Sequence, residues 1–243
     1  MRNISAQAIT DAVARLCIEA NTRLPQDVQA ALDKARQEEP WPLAKNTLDL
    51  LWSNLSAARE KDLPICQDTG IVWVSLEVGP GVLVPADVFA DVDDAVARAY
   101  NEARLRKSVV HDAILDRVNS GDNTPAFCDI HPVDELGVAR LHVMLKGGGS
   151  DNASRVAMLV PGAGMQGIVD ELVRCVCEKG ANACPPLVVG VGIGSTFDKV
   201  AGLAKRALMR PVDEPAADPR VRAVEEELLE AVNATGVGPG GLG

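Results

Sequence analysis

Residues Pro64–Gly81 read PICQDTGIVWVSLEVGPG, and this stretch decides the fold class. Ile71–Val78 (IVWVSLEV) has the composition of a strand and stops at Gly79-Pro80-Gly81, a strong turn signal. The loop that enters it, Cys66-Gln67-Asp68-Thr69-Gly70, places a thiol, an amide, a carboxylate and a hydroxyl on consecutive residues. A strand entered through such a loop, with helical patterns before and after it, predicts a mixed class, α/β or α+β with an antiparallel component.

On the N-terminal side, Ile9, Val13, Leu16, Cys17 and Ala20 recur at helical spacing. Pro25 is placed as a first helical residue ahead of Val28, Ala31, Leu32 and Ala35. A third stripe runs through Ala44, Leu48, Leu51 and Leu55. Residues 1–60 therefore read as a helical subregion packed on a mixed-sheet core with flanking helices.

On the C-terminal side, Val88, Val92, Ala95, Val96 and Ala99 mark a long helix. Ala126–Ile130 and Ala139–Leu145 read as strands joined by a polar turn, a candidate hairpin. Met165–Val176 and Phe197–Leu208 read as helices, Leu187–Ile193 as a buried strand, and Val221–Val232 as a final acidic helix. No repeat is visible, and the one linker-like stretch is Pro211–Pro219. The whole chain, 1–243, reads as one domain. GVGPGGLG at Gly236–Gly243 is turn material, expected either as a flexible tail or as the place where a longer polypeptide is cut short.

Composition bounds the function. Of 243 residues, 47% are apolar and 24% charged, which excludes a disordered chain, a collagen-like repeat and a coiled-coil rod. Lys plus Arg is 24 against 34 Asp plus Glu, a net charge of −10 that argues against nucleic acid as a partner. No run approaches the length of a membrane helix and the start has no signal-peptide core, so no membrane association and a cytoplasmic location are expected. Six cysteines in that compartment are expected as thiols, either core residues or ligands.

Four groups can carry chemistry. Cys66-Gln67-Asp68-Thr69 offers a loop thiol free to ligate a metal; the plainer reading is a small buried cysteine with an Asx turn at Asp68. Lys146-Gly147-Gly148-Gly149-Ser150-Asp151-Asn152 follows a strand, and its successive N–H groups suit a carboxylate or phosphate. Cys184-Pro185-Pro186 precedes Gly190-Val191-Gly192-Ile193-Gly194-Ser195-Thr196, which departs from a dinucleotide-binding turn and serves strand–helix packing equally well. Arg104-Leu105-Arg106-Lys107-Ser108, with Asn119–Pro125 beyond it, supplies guanidinium groups for a carboxylate; the alternative is a solvated helix end. Cys17 and Cys128 read as core, Cys175 and Cys177 as a poor ligand pair, and His111, His131 and His142 lack zinc-like spacing.

PICQDTG, NSGDNTP, KGGGSDN and CPPLVVGVGIGSTFDKVAGLAKRAL together resemble the α subunit, or N-terminal domain, of the class I iron–sulfur hydro-lyases, the oxygen-sensitive fumarases and L-tartrate dehydratases. The resemblance runs from about Ile4 to the last residue. It implies a [4Fe–4S] cluster held by three cysteines with one iron site open to substrate. Cys66 and Cys184 match two of those ligands, and the third is expected beyond Gly243. It further implies substrate contacts from Arg106, Lys146, Gln67 and the Gly149 amide, with Asp68 as general acid/base beside Gln67. A small dicarboxylate substrate, a β subunit or C-terminal domain, and homo- or hetero-oligomeric assembly follow from the same likeness. The reaction implied is reversible hydration of fumarate to L-malate; L-tartrate dehydration to oxaloacetate is the alternative. A non-catalytic nucleotide-binding or scaffolding domain is a further reading, resting on the glycine turn after Val189.

Overall fold

The computed structural model describes residues 1–242. In chain order the elements are β1 (Arg2–Asn3), α1 (Ala6–Thr22), α2 (Gln26–Glu38), α3 (Pro42–Lys61), β2 (Ile71–Val78), β3 (Val82–Leu83), α4 (Val92–Glu102), β4 (Phe127–Pro132), β5 (Ala139–Lys146), α5 (Gly148–Ala153), α6 (Gly164–Lys179), α7 (Phe197–Ala207) and α8 (Pro219–Asn233). The class is mixed α/β, as expected. The chain forms two compact units: Met1–Leu24 with Asn54–Gly148, and Pro25–Ser53 with the chain from Gly149 onward.

The first unit is organised by β2. Its residues Val72, Val74 and Leu76 are buried against Ile9, Val13 and Cys17 of α1 and Val92, Ala95, Val96, Ala99 and Tyr100 of α4. The Ser5 hydroxyl caps α1 by accepting from the Ala8 amide at 3.2 Å, which stabilises a helix whose apolar stripe faces this core. Pairing is parallel from β2 to β4 and antiparallel from β2 to β5, giving the order β4-β2-β5.

That order corrects the candidate hairpin. β4 and β5 lie on opposite sides of β2, because a strand as apolar as β2 needs partners on both edges to satisfy its backbone. Their connection wraps over the end of β2, where the Gly79 amide donates to Val138 O at 2.8 Å and the Gly137 amide to Pro80 O at 2.7 Å. Two smaller expectations also change. Pro25 is the N-cap of α2, one residue before the helix, and Val88 is a buried turn residue ahead of α4.

The second unit holds α2, the N-terminal part of α3, and α6 to α8. Arg36 of α2 pairs with Asp33 and with Asp49 of α3 and lies 5.2 Å above the Trp52 ring. Asp27 accepts the Val212 amide at 2.8 Å, which ties down the Pro211–Pro219 stretch.

Leu187–Ile193, expected as a buried strand, is irregular chain that pairs with no strand among the described residues, and Val188, Val189 and Ile193 are exposed. Its apolar composition matches a strand, but composition supplies no neighbour to complete the ladder. Gly190 and Gly192 lie against α7: a Cβ there would stand 2.2 Å from Ala204 O and 2.5 Å from Val200 O. These glycines therefore serve close chain–helix packing, the plainer of the two roles their spacing allowed.

Candidate functional site

The Cys66–Gly70 loop leads into β2 and is graded from exposed to buried. Cys66 and Gln67 are exposed, Asp68 is half-buried, and Thr69 and Gly70 are buried. The Cys66 sulfur accepts the Asp68 amide at 3.4 Å, and its thiol donates to Gln67 Oε1 at 3.4 Å. Asp68 makes no Asx turn; its Oδ2 accepts the Gly148 amide at 2.8 Å, across 80 residues of sequence. No partner meets Asp68 Oδ1 among the described residues. A carboxylate held by one oxygen and free at the other can take and return a proton at a fixed place.

The buried end of the loop is fixed by three polar side chains. Tyr100 of α4, fully buried, shares its O–H between the carbonyls of Thr69 at 2.7 Å and Gly70 at 2.9 Å. Burial, together with nearby Cys17, pushes the Tyr100 phenol well above its ordinary value, so it acts only as a neutral donor. Thr69 Oγ1 donates to Arg106 O at 2.7 Å. Asn123, also fully buried, donates from Nδ2 to Gly70 O at 3.0 Å and accepts the Ser108 amide on Oδ1 at 2.7 Å. The segment carrying Arg106 is thereby tied to the loop carrying Asp68.

Arg106 itself is exposed, and its guanidinium meets no carboxylate among the described residues. Its guanidinium, like those of Arg104 and Arg117, is in no ion pair among the described residues, and a guanidinium so placed suits an acidic ligand. Ser108 Oγ, two residues on, is a buried hydroxyl with no partner.

Lys146 ends β5 opposite Ile71, the first residue of β2, which puts it at the same end of the sheet as the loop. The glycines after it differ from expectation. They open the short helix α5, and the Gly148 N–H expected for an external anion is given to Asp68. The resident carboxylate satisfies that donor, as the helix terminus favours.

Gly149 and Cys184 belong to the second unit. Gly149 lies against Asn182, whose carbonyl a Cβ would approach to 2.5 Å. Cys184 is exposed with φ 57°, at the end of a 3-10 turn over Gly180–Ala183. The Gly240 amide donates to Pro185 O at 2.9 Å, so the glycine-rich segment is tied to the turn that carries Cys184.

The other cysteines sort by environment. Cys17 is buried, and burial pushes its thiol up to about 12. Cys128 is on edge strand β4 and exposed as a residue, not core as expected, because an edge strand lacks the second neighbour that would cover it. Partial burial of its sulfur, with Asp93 and Asp129 nearby, still pushes that thiol up to about 11. Cys175 donates to Ala153 O at 3.2 Å, and Cys177 is exposed. Iodoacetamide at pH 7.5 should therefore modify Cys66, Cys177 and Cys184 in the folded chain and spare Cys17 until unfolding, since the thiolate is the nucleophile. Peptide mapping checks this, and early alkylation of Cys17 would contradict the burial described. No group of three His, Cys, Asp or Glu side chains among the described residues is arranged to hold a metal ion. Cys66 in the first unit and Cys184 in the second are both exposed thiols, and a thiolate is chemically suited to iron–sulfur ligation.

Comparison with known proteins gives consistent results. Residues 10–243 match a family model described as "Fumarate hydratase (Fumerase)". The chain is 37% identical over 241 residues to "Putative L(+)-tartrate dehydratase subunit alpha" of Methanocaldococcus jannaschii, covering 97% of this chain and 84% of that protein. It is 31% identical over 239 residues to "L(+)-tartrate dehydratase subunit alpha" of Escherichia coli strain K12, covering 96% of this chain and 78% of that one. No helix among the described residues is long and apolar enough to cross a membrane.

Proposed function

The chain belongs to the fumarate hydratase (Fumerase) family of hydro-lyases, and from that premise we propose that it is the α component of a [4Fe–4S] hydro-lyase that interconverts fumarate and L-malate, acting with a β component. The observation that carries this reading is the linkage of Asp68, half-free and next to an exposed thiol, to the unpaired Arg106 through Thr69 and Asn123. One site then offers a proton-transfer group and an anion-recognition group to a substrate that needs both.

In this reading Cys66 and Cys184 are the two cluster thiolates of this chain, with the third ligand outside it. When bound, the cluster supplies a Lewis-acidic iron that makes hydroxide a better leaving group. The chain's own residues do the rest. Arg106 receives a substrate carboxylate in a bidentate pair, which orients the carbon skeleton. Lys146 and the Gly149 amide add donors for the second carboxylate, and Gln67 hydrogen-bonds beside them. Asp68, through its free Oδ1, gives a proton to the departing hydroxyl oxygen in dehydration and takes one from water in hydration. The Gly148 amide on Oδ2 keeps that carboxylate in one rotamer during the transfer.

A second reading is L-tartrate dehydration, favoured by the names of the two relatives described above. Both substrates present two carboxylates and a hydroxyl to the same groups. The deciding experiment assembles the chain with its β component under anaerobic conditions with iron and sulfide, then supplies fumarate and L-tartrate separately. Malate formed from fumarate is the expected result. Oxaloacetate formed from tartrate alone would transfer the assignment to tartrate, and turnover of neither would remove the hydro-lyase reading.

A further inference from the structure

We propose that Asn123 is the positioning residue that sets Arg106 against Asp68, a role that rests on the site reading above. Three facts about this side chain stand together. It is fully buried. Its backbone has φ 68°, a left-handed conformation that asparagine tolerates better than most residues. Both ends of its amide are spent on backbone groups of two separate segments, Nδ2 on Gly70 O at 3.0 Å and Oδ1 on the Ser108 amide at 2.7 Å.

The two segments are those that carry the chemistry. Gly70 is two residues from Asp68, and Ser108 is two residues from Arg106. The residue itself is held in turn: its own amide donates to Ser120 Oγ at 3.1 Å, and the Asn119 side chain donates to Lys107 O at 3.1 Å. The 119–124 turn thus docks on the Arg106 segment from the outside while Asn123 reaches through to the loop. No apolar side chain could fill the same space without leaving the Ser108 amide unpaired and the Gly70 carbonyl with the Tyr100 hydroxyl as its one remaining side-chain donor. Asn123 does not meet the substrate; it acts through the two residues that do.

The bond to Ser108 bears on substrate binding, and the bond to Gly70 bears on proton transfer. Two variants separate them. Asn123→Gly tolerates the left-handed backbone and removes both bonds. Asn123→Asp keeps an oxygen to accept the Ser108 amide and loses the donor to Gly70 O. In the assembled α/β complex, Asn123→Gly should lower kcat/KM by about 30- to 100-fold, with kcat and KM both affected. Asn123→Asp should lower kcat by about 10-fold and leave KM within about 2-fold of wild type. In the full chain alone, amide hydrogen exchange at Ser108 should quicken in Asn123→Gly and stay protected in Asn123→Asp. A merely structural residue would lower the melting temperature without this split.

The proposal is overturned if Asn123→Asp raises KM as much as Asn123→Gly does, or if Ser108 exchange is the same in all three proteins. If wild-type complex turns over neither fumarate nor tartrate while Ser108 exchange follows the expected pattern, the hydro-lyase reading fails and the Asn123 tie between the two segments stands.

Discussion

Asp68→Asn should reduce kcat by about 10²- to 10⁴-fold, the range lost when a positioned acid/base group is removed. The substitution keeps the size of the side chain, and its carboxamide oxygen can still accept the Gly148 amide that Asp68 Oδ2 now holds at 2.8 Å. Space around the group is limited, since a Cβ on Gly147 would come within 3.1 Å of Oδ2, so a larger replacement would disturb the turn as well as the chemistry. Asn therefore isolates the proton. KM should stay within about 3-fold, because Arg106 and its ties to Thr69 and Asn123 are untouched, and a change confined to kcat marks a group acting in the transition state. Asp68→Ala removes the tether too and should lose thermal stability in addition. Steady-state kinetics on the assembled complex, with iron content measured in the same samples, checks both. More than a third of wild-type kcat in Asp68→Asn at equal iron content would take the acid/base role away from Asp68.

The bounds of β2 follow from IVWVSLEV because eight residues of strand composition end at Gly79-Pro80-Gly81, and the strand found is Ile71–Val78. Which strands flank it does not follow. β4 and β5 both look like strands, but local pattern carries no partner information, and only the shape of the core puts β2 between them. Leu187–Ile193 fails for the same reason in reverse: the composition of a strand is present, and a partner is not.

The site divides along the same line. Residue types alone mark the Cys66–Thr69 loop and the Arg104–Ser108 basic cluster; the family resemblance is what picks out Gln67, Asp68 and Arg106 within them. Asn123 and Tyr100 do not announce themselves. Asn123 reads as one more polar turn residue in NSGDNTP, and its bond to Gly70 spans 53 positions. Tyr100, the one tyrosine of the chain, sits next to Ala99 on the buried stripe of α4, where an aromatic residue reads as core; its hydroxyl is functional only because the loop carbonyls arrive over it. For Asn123 the available signal was an amide inside a motif, which does not identify its partners; for Tyr100 there was none beyond a polar tip on an apolar stripe.

Gly70→Ala should strongly destabilise the first unit, costing about 3–5 kcal/mol, because two costs add. The residue has φ +81°, where a side chain is strained by roughly 1–2 kcal/mol. A Cβ there would also stand 2.8 Å from the Lys146 amide nitrogen and 2.9 Å from the Leu145 carbonyl carbon. Both are backbone atoms of β5, registered against Ile71 and Val72 of β2, so relief requires opening the ladder that centres the sheet. Gly137→Ala is the control: its φ is +73° but nothing lies within 4 Å of the Cβ, so it should show the conformational cost alone, about 1 kcal/mol. Thermal unfolding should then show a fall of about 10–15 °C for Gly70→Ala and only a few degrees for Gly137→Ala. Activity should fall with stability, since the Gly70 carbonyl receives both the Tyr100 hydroxyl and the Asn123 amide, and moving it moves Asp68. Equal melting temperatures for the two variants would mean that β5 does not press on Gly70, and the register that holds the loop beside Lys146 would have to be redrawn.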